Sequence, residues 1–172
     1  MELWDIYDAN HLPTGRTHER GKPLAEGDYH MTVHIAIFST DGRLLIQQRT
    51  RDRASFAGMW DISCAGSVLA GEDSAMGAHR ELAEELGLDR DFTSVRPHMT
   101  INYTNGFGHY YLITEDVDID SLTLQKSEVA AVKYATLDEI NELLENGKFI
   151  PYYETFIPFL FDLRKRYSTH NT

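Results

Sequence analysis

The sequence predicts an α/β domain, and two observations carry that reading. A β-rich run over residues 29–39 turns at Asp41-Gly42 and returns over residues 44–48, whereas residues 74–86 repeat apolar side chains at helical steps and stop at Gly87. At 172 residues and 42% hydrophobic content, the chain is of a size to bury one core, so residues 1–172 are expected to form a single domain.

The elements follow in order. Residues 3–7 read as a short strand, followed by a turn-rich segment through Pro13, Thr14 and Gly15. Arg16, Arg20 and Lys22 nearby are expected to be solvated loop charges rather than phosphate ligands. The strand over 29–39 is rich in Val33, Ile35, Ile37 and Phe38, and it is expected to form the centre of the sheet with its hairpin partner. His30 and His34 share one face of it. Two histidines without a third ligand nearby are expected to be core or cleft residues rather than metal ligands. Arg49, Arg51 and Arg53 follow at every second position and are either phosphate ligands, Arg49 best placed among them, or an exposed basic loop. Trp60 reads as a core anchor and Cys64 as a small buried hydrophobe.

Beyond the helix at 74–86, residues 92–95 and 99–103 read as strands, 105–108 as a turn and 109–114 as the returning strand. Tyr103 and Phe107 are expected to pack in that hairpin rather than stack on a base. Residues 115–120 read as a solvated acidic loop and 128–135 as a strand. Thr136 and Glu139 fit a capping box for a helix running to about Asn146. Aromatic and aliphatic residues at helical spacing over 152–167 predict a last helix packed on the sheet, with a homodimer contact as the alternative use of its aromatic face.

The helix at 74–86 carries the chemistry. Ala75, Ala78, Leu82 and Leu86 form its apolar stripe, and Asp73 or Ser74 can cap its start. Glu81, Glu84 and Glu85 fall beside that stripe within about a third of the circumference, at about 100° per residue. Like charges so placed raise one another's pKa unless a cation sits among them, and a hard divalent ion is the simplest cation for three carboxylates. Arg80 is placed to pair with Glu84, and Gly77 is expected to leave room above the carboxylates.

Gly66, Glu72, Arg80-Glu81-Leu82, Glu84-Glu85 and Gly87-Leu88 together resemble the signature of the Nudix hydrolases, residues 66–88, with no departure at any defined position. The resemblance implies an α/β/α sandwich around a mixed β-sheet and a loop-helix-loop metal site. It implies that Glu81, Glu84 and Glu85 hold Mg2+ or Mn2+, helped by the main-chain carbonyl of Ala65, and that water is activated to cleave a diphosphate joined to another group. Arg80 would orient the carboxylates and Glu72 would brace the loop. Family members sometimes add a carboxylate from a later region, for which Glu128 is the candidate. The general base stays open among Glu84, Glu85 and Glu128. Arg49 and Arg51 are the candidate substrate ligands.

The isopentenyl diphosphate isomerases share this fold and are the first rival reading. Their motif places a catalytic cysteine where Ala65 stands and a histidine where Ser67 stands, with Cys64 one position early and so on the opposite strand face. A nucleotide-binding module without catalysis is the second rival, and the complete carboxylate set speaks against it. The net charge of −11 argues against a nucleic-acid polymer or an anionic membrane as partner and for cations to bring in a diphosphate. A single cysteine, a start without a basic lead or apolar run, and no membrane-length apolar stretch lead us to expect a cytoplasmic protein.

Overall fold

The computed structural model describes residues 2–165, Tyr167 and His170. Its strands are β1 (Leu3–Tyr7), β2 (Pro13–Glu19), β3 (His30–Phe38), β4 (Leu44–Arg49), β5 (Trp60–Asp61), β6 (Cys64–Ser67), β7 (Met99–Tyr103), β8 (Gly106–Thr114) and β9 (Val129–Ala135). Its helices are α1 (Ser74–Leu86), α2 (Leu137–Glu145) and α3 (Phe156–Leu163), with a 3-10 turn at Ile119–Ser121. β1 and β2 form a separate antiparallel pair, and the other seven strands form one sheet.

β3 sits at the middle of that sheet because both of its faces are apolar, the pattern of a strand covered on two sides. Met31, Val33, Ile35 and Ile37 pack with Ala78, Leu82 and Leu86 of α1. Ala36 and Phe38 pack on the other face with Ile140 of α2 and with Ile157, Leu160 and Phe161 of α3. The result is an α/β/α sandwich. β8 runs parallel to β3 along its whole length while β6 runs antiparallel to it, so the sheet is mixed.

The turn at Asp41-Gly42 forms, with the Ser39 amide donating to the Arg43 carbonyl at 2.8 Å. The expected hairpin nevertheless opens at once: β3 and β4 register only at Phe38 and Leu44. β4 then leaves to pair with β9 and β5, while β6 takes the vacated edge of β3. Ser63 fills the fork, its hydroxyl donating to the Leu45 carbonyl and accepting from the Ile37 amide at 2.8 Å.

Other differences have local causes. Residues 13–19 form β2 rather than a turn; its mostly exposed residues leave no apolar alternation to read, and the ladder with β1 supplies its backbone partners. Arg16, Arg20 and Lys22 pair with Asp28, Glu2 and Glu19 as surface charges. Residues 92–95 form a turn, because the Asp91 carboxylate accepts from the Thr93 amide at 2.8 Å and the Val95 amide donates to the Phe92 carbonyl at 2.9 Å. Gly106, Phe107 and Gly108 belong to β8, leaving Thr104 and Asn105 as the turn. α3 is shorter than the expected 152–167. The Tyr152 hydroxyl donates to the Asp61 carboxylate at 2.7 Å and holds the preceding chain in place, and residue 166 lies outside the described residues.

Candidate active site

α1 starts where Asp73 accepts from the Met76 amide at 2.8 Å and stops where Gly87 takes a left-handed backbone at φ 70°. Burial of Ala78, Leu82 and Leu86 fixes the helix rotation, which carries Glu81 and Glu85 inward and leaves Glu84 exposed. Gly77 faces Val68, where a Cβ would come within 2.9 Å of a valine methyl. It therefore serves helix–strand packing and opens no space above the carboxylates.

The Glu81 carboxylate lies directly across Gly66 of β6, in volume that any side chain at position 66 would fill. Arg80 ties the neighbourhood together. Its Nε and Nη2 fork onto Glu72 at 2.7 and 3.0 Å, Nη2 also donates to the Ser67 carbonyl at 2.8 Å, and Nη1 reaches Glu81 at 2.9 Å and Glu84 at 3.2 Å. Glu72, rather than the expected Glu84, is its closest partner, and Glu72 also accepts from the Leu69 amide at 2.9 Å. Burial opposes ionisation of Glu72, yet Arg80 and that amide hold its pKa below the ordinary value. Glu81 is more deeply buried, so its pKa is raised despite the same guanidinium.

Glu85 is different. It is 2% exposed, and it accepts from Gln47 Nε2 at 2.9 Å and adjoins the Cys64 thiol. Burial lifts its pKa to about 7; Gln47 and Cys64 pull it down, while Glu81 and Glu128 push it further up. The Gln47 carbonyl oxygen is itself buried without a partner. Glu128, just before β9, acts electrostatically on both Glu81 and Glu85 and is ion-paired to Arg53 at 2.6 Å.

The remaining candidates lie around this group. Ala65 sits on β6 between Cys64 and Gly66, opposite His34 of β3. Arg49 donates from Nε to the Ser55 carbonyl at 3.2 Å and acts on Asp61 and Tyr152, on the α3 side of the sheet. Arg51 is exposed in the loop beyond β4. His30 stacks on Trp4 and His34 on Tyr110, each imidazole kept neutral by burial with a pKa of about 4. Cys64 is fully buried and its thiol pKa is pushed up by that burial.

One residue of this neighbourhood, Gln47, is absent from the sequence-based expectations, and a second, Arg53, ranks behind Arg49 in them. Gln47 follows the apolar Leu44-Leu45-Ile46 of β4 and, unlike its neighbour Gln48, is fully buried; a polar residue next to an apolar strand run was the available signal. Closing the strand makes Arg49 the best placed of the three arginines, yet Arg53 is the one paired with a carboxylate of the cluster, because loop conformation decides that contact.

The donor chemistry fits a hard divalent cation: carboxylate and amide oxygens, a deeply buried glutamate with no cation of its own, and an orphaned amide oxygen beside it. Among the described residues, no three His, Cys, Asp or Glu side chains stand close enough to hold an ion as placed. Glu81 and Glu84 are turned toward Arg80 and Glu85 toward Gln47, so ligation requires side-chain rotation about a fixed helix.

Comparison with known proteins bears on the family and the fold. The family model described as NUDIX domain matches residues 28–156. An uncharacterised Nudix hydrolase of Listeria monocytogenes is 42% identical over 170 residues, covering 99% of both chains. An isopentenyl-diphosphate Delta-isomerase of Pectobacterium atrosepticum is 31% identical over 147 residues, covering 80% of this chain and 78% of that protein. Among solved structures, DR0079 of Deinococcus radiodurans has the same fold, with a TM-score of 0.73 at 16% identity over 94% of this chain and 99% of that one. With the complete signature on α1, a family match over most of the chain and a full-length relative of that name, the chain belongs to the Nudix hydrolase family.

Proposed function

We propose that this protein hydrolyses a phosphoanhydride in a nucleoside diphosphate linked to a further group, or in another organic diphosphate, with Mg2+ or Mn2+ as cofactor. The observation that carries the reading is Glu85, an acid buried to 2% exposure beside a neutral amide and a thiol, with no cationic side chain on it. Such a group is costly to ionise unless a cation arrives with the ligand.

Glu81, Glu84 and Glu85 would hold the ion, with the Ala65 carbonyl and Glu128 as further oxygen donors. The ion supplies charge neutralisation for the diphosphate and a lowered pKa for its bound water. Arg80 keeps Glu81 and Glu84 at a fixed distance from Glu72, so the helix presents its carboxylates in one orientation. Gln47 holds Glu85 from below. One of Glu84, Glu85 and Glu128 takes the proton from the attacking water. Arg49, at the end of β4, and Arg51, in the loop beyond it, are proposed as substrate ligands.

The isomerase relative favours a second reading, in which an isopentenyl diphosphate is protonated and deprotonated rather than hydrolysed. Ala65 and Ser67 stand in place of that motif's cysteine and histidine, and Cys64 is buried with its thiol pKa raised, which supports hydrolysis. The deciding experiment is a screen of the purified protein in Mg2+ against nucleoside diphosphates, nucleotide sugars, dinucleotides and isopentenyl diphosphate. Metal-dependent release of a phosphorylated product is expected. Isomerisation without release, or nucleotide binding without turnover, would overturn the proposal.

A further inference from the structure

An ion pair between Arg53 and Glu128 at 2.6 Å joins the loop between β4 and β5 to the acidic cluster. The base of that loop is anchored at the same place. The Thr50 amide donates to the Glu128 carbonyl at 2.9 Å, the Thr50 hydroxyl donates to the Ser127 carbonyl at 3.0 Å, and the Gly58 amide returns to the Thr50 carbonyl at 3.2 Å. Arg53 therefore hangs from a tether pinned beside its partner. At the tip, Phe56 takes a positive φ of 51° and is 46% exposed, while the Ser55 carbonyl beside it accepts from Arg49 Nε at 3.2 Å.

The two arginines of this region are held differently. Arg80 makes five hydrogen bonds to Glu72, Glu81, Glu84 and Ser67, a fork embedded in the helix and the preceding loop. Arg53 meets one carboxylate at 2.6 Å, with 23% of its side chain exposed against 28% for Glu128. A single partly exposed pair of this kind is easily exchanged, whereas the Arg80 fork is not. At equal distance a divalent ion attracts a carboxylate about twice as strongly as a guanidinium does. A cation entering among Glu81, Glu85 and Glu128 thus displaces Arg53 from Glu128. The freed guanidinium would stay on its tether beside the acidic cluster, and the phosphate of an arriving diphosphate would offer it a two-pronged partner.

We propose that Arg53 is an exchangeable counter-ion: it neutralises Glu128 in the metal-free protein and transfers to a substrate phosphate when a divalent cation claims that carboxylate. This rests on the reading of Glu128 as part of the cation site, and it predicts effects of opposite sign on two ligands. In Arg53→Ala, Mn2+ affinity measured by electron paramagnetic resonance without substrate should rise by about 3- to 10-fold, because a competing cation is gone. Binding of inorganic pyrophosphate in saturating Mg2+, measured by calorimetry, should weaken by about 10-fold or more. Arg53→Lys should keep near-normal Mn2+ affinity and recover only part of the pyrophosphate binding, since it retains the charge and loses the fork. In a Glu128→Gln background, Arg53→Ala should no longer change Mn2+ affinity. Unchanged or weaker Mn2+ binding in Arg53→Ala would overturn the exchange. If Glu85→Gln left Mn2+ binding unchanged, the cation site itself would be wrong, which separates the two failures.

Discussion

α1 and α2 are both short, capped and acidic, and only one of them is built to do chemistry. α2 begins with a complete capping box between Thr136 and Glu139 and carries Asp138, Glu139, Glu142 and Glu145 on its solvent side, all exposed. α1 carries three, Glu81, Glu84 and Glu85, yet its apolar stripe lies so close to Glu81 and Glu85 that packing drags them inward against β6 and β4. Water screens the first set and has been removed from much of the second. The acidic content of a helix therefore says little about function until its rotation against the core is known.

The sharpest way to break the comparison is to neutralise one glutamate on each helix. Glu85→Gln should lower metal-dependent turnover by about 1000-fold or more, while Glu142→Gln should leave it within about 2-fold, both read from initial rates with the best substrate of the screen. Equal effects would mean that burial of Glu85 has no catalytic meaning.

Arg80→Ala comes next. It leaves Glu72 and Glu81 close together with their shared guanidinium gone. Urea denaturation should show a loss of about 2 kcal/mol, together with a large drop in turnover, and Arg80→Lys should restore stability better than activity because the fork is lost.

The pH dependence of stability sharpens the contrast further. Glu85 has a folded pKa of about 7 against an ordinary value of 4.5, so between these values the folded chain binds more protons than the unfolded one. Stability of the metal-free protein should therefore fall as pH rises from about 4.5 through about 7, by at most about 3 kcal/mol from this group. Melting temperatures in EDTA should show the decline, Glu85→Gln should flatten it, and Mg2+ should raise the melting temperature at pH 8. The carboxylates of α2, including Glu139, whose pKa is lowered by the Thr136 amide and hydroxyl, should add no such decline.

The smallest expected effect is on the α2 side. Thr136→Ala removes the capping box and should cost about 1 kcal/mol in urea denaturation while leaving turnover intact.

Much of this arrangement was legible in the chain. Aliphatic, β-rich runs on either side of the Asp41-Gly42 turn located β3 and β4, apolar steps of three and four located α1, the Thr136 and Glu139 spacing located the start of α2, and the fixed spacing from Gly66 to Leu88 located the acidic site on α1. Elements without periodicity were misread. β2 is mostly exposed, so its pairing with β1 leaves no trace in its side chains, and residues 92–95 carry strand-like residues that the Asp91 turn bends away. Gly77 shows the same limit at a single position, since a missing side chain does not reveal what occupies its place.

By itself, then, the sequence determined which segments bury apolar surface and that three glutamates share one edge of α1, because both are consequences of local helical and strand periods. The tertiary structure decided the rest: the forking of β3 and β4, the neutral Gln47 under Glu85, the four-partner clamp of Arg80 and the choice of Arg53 as the counter-ion of Glu128. Apart from the contacts of Arg80 with Glu81 and Glu84 on its own helix, these are meetings between different elements, and whether a carboxylate meets a guanidinium, an amide or water is settled only by how the layers pack.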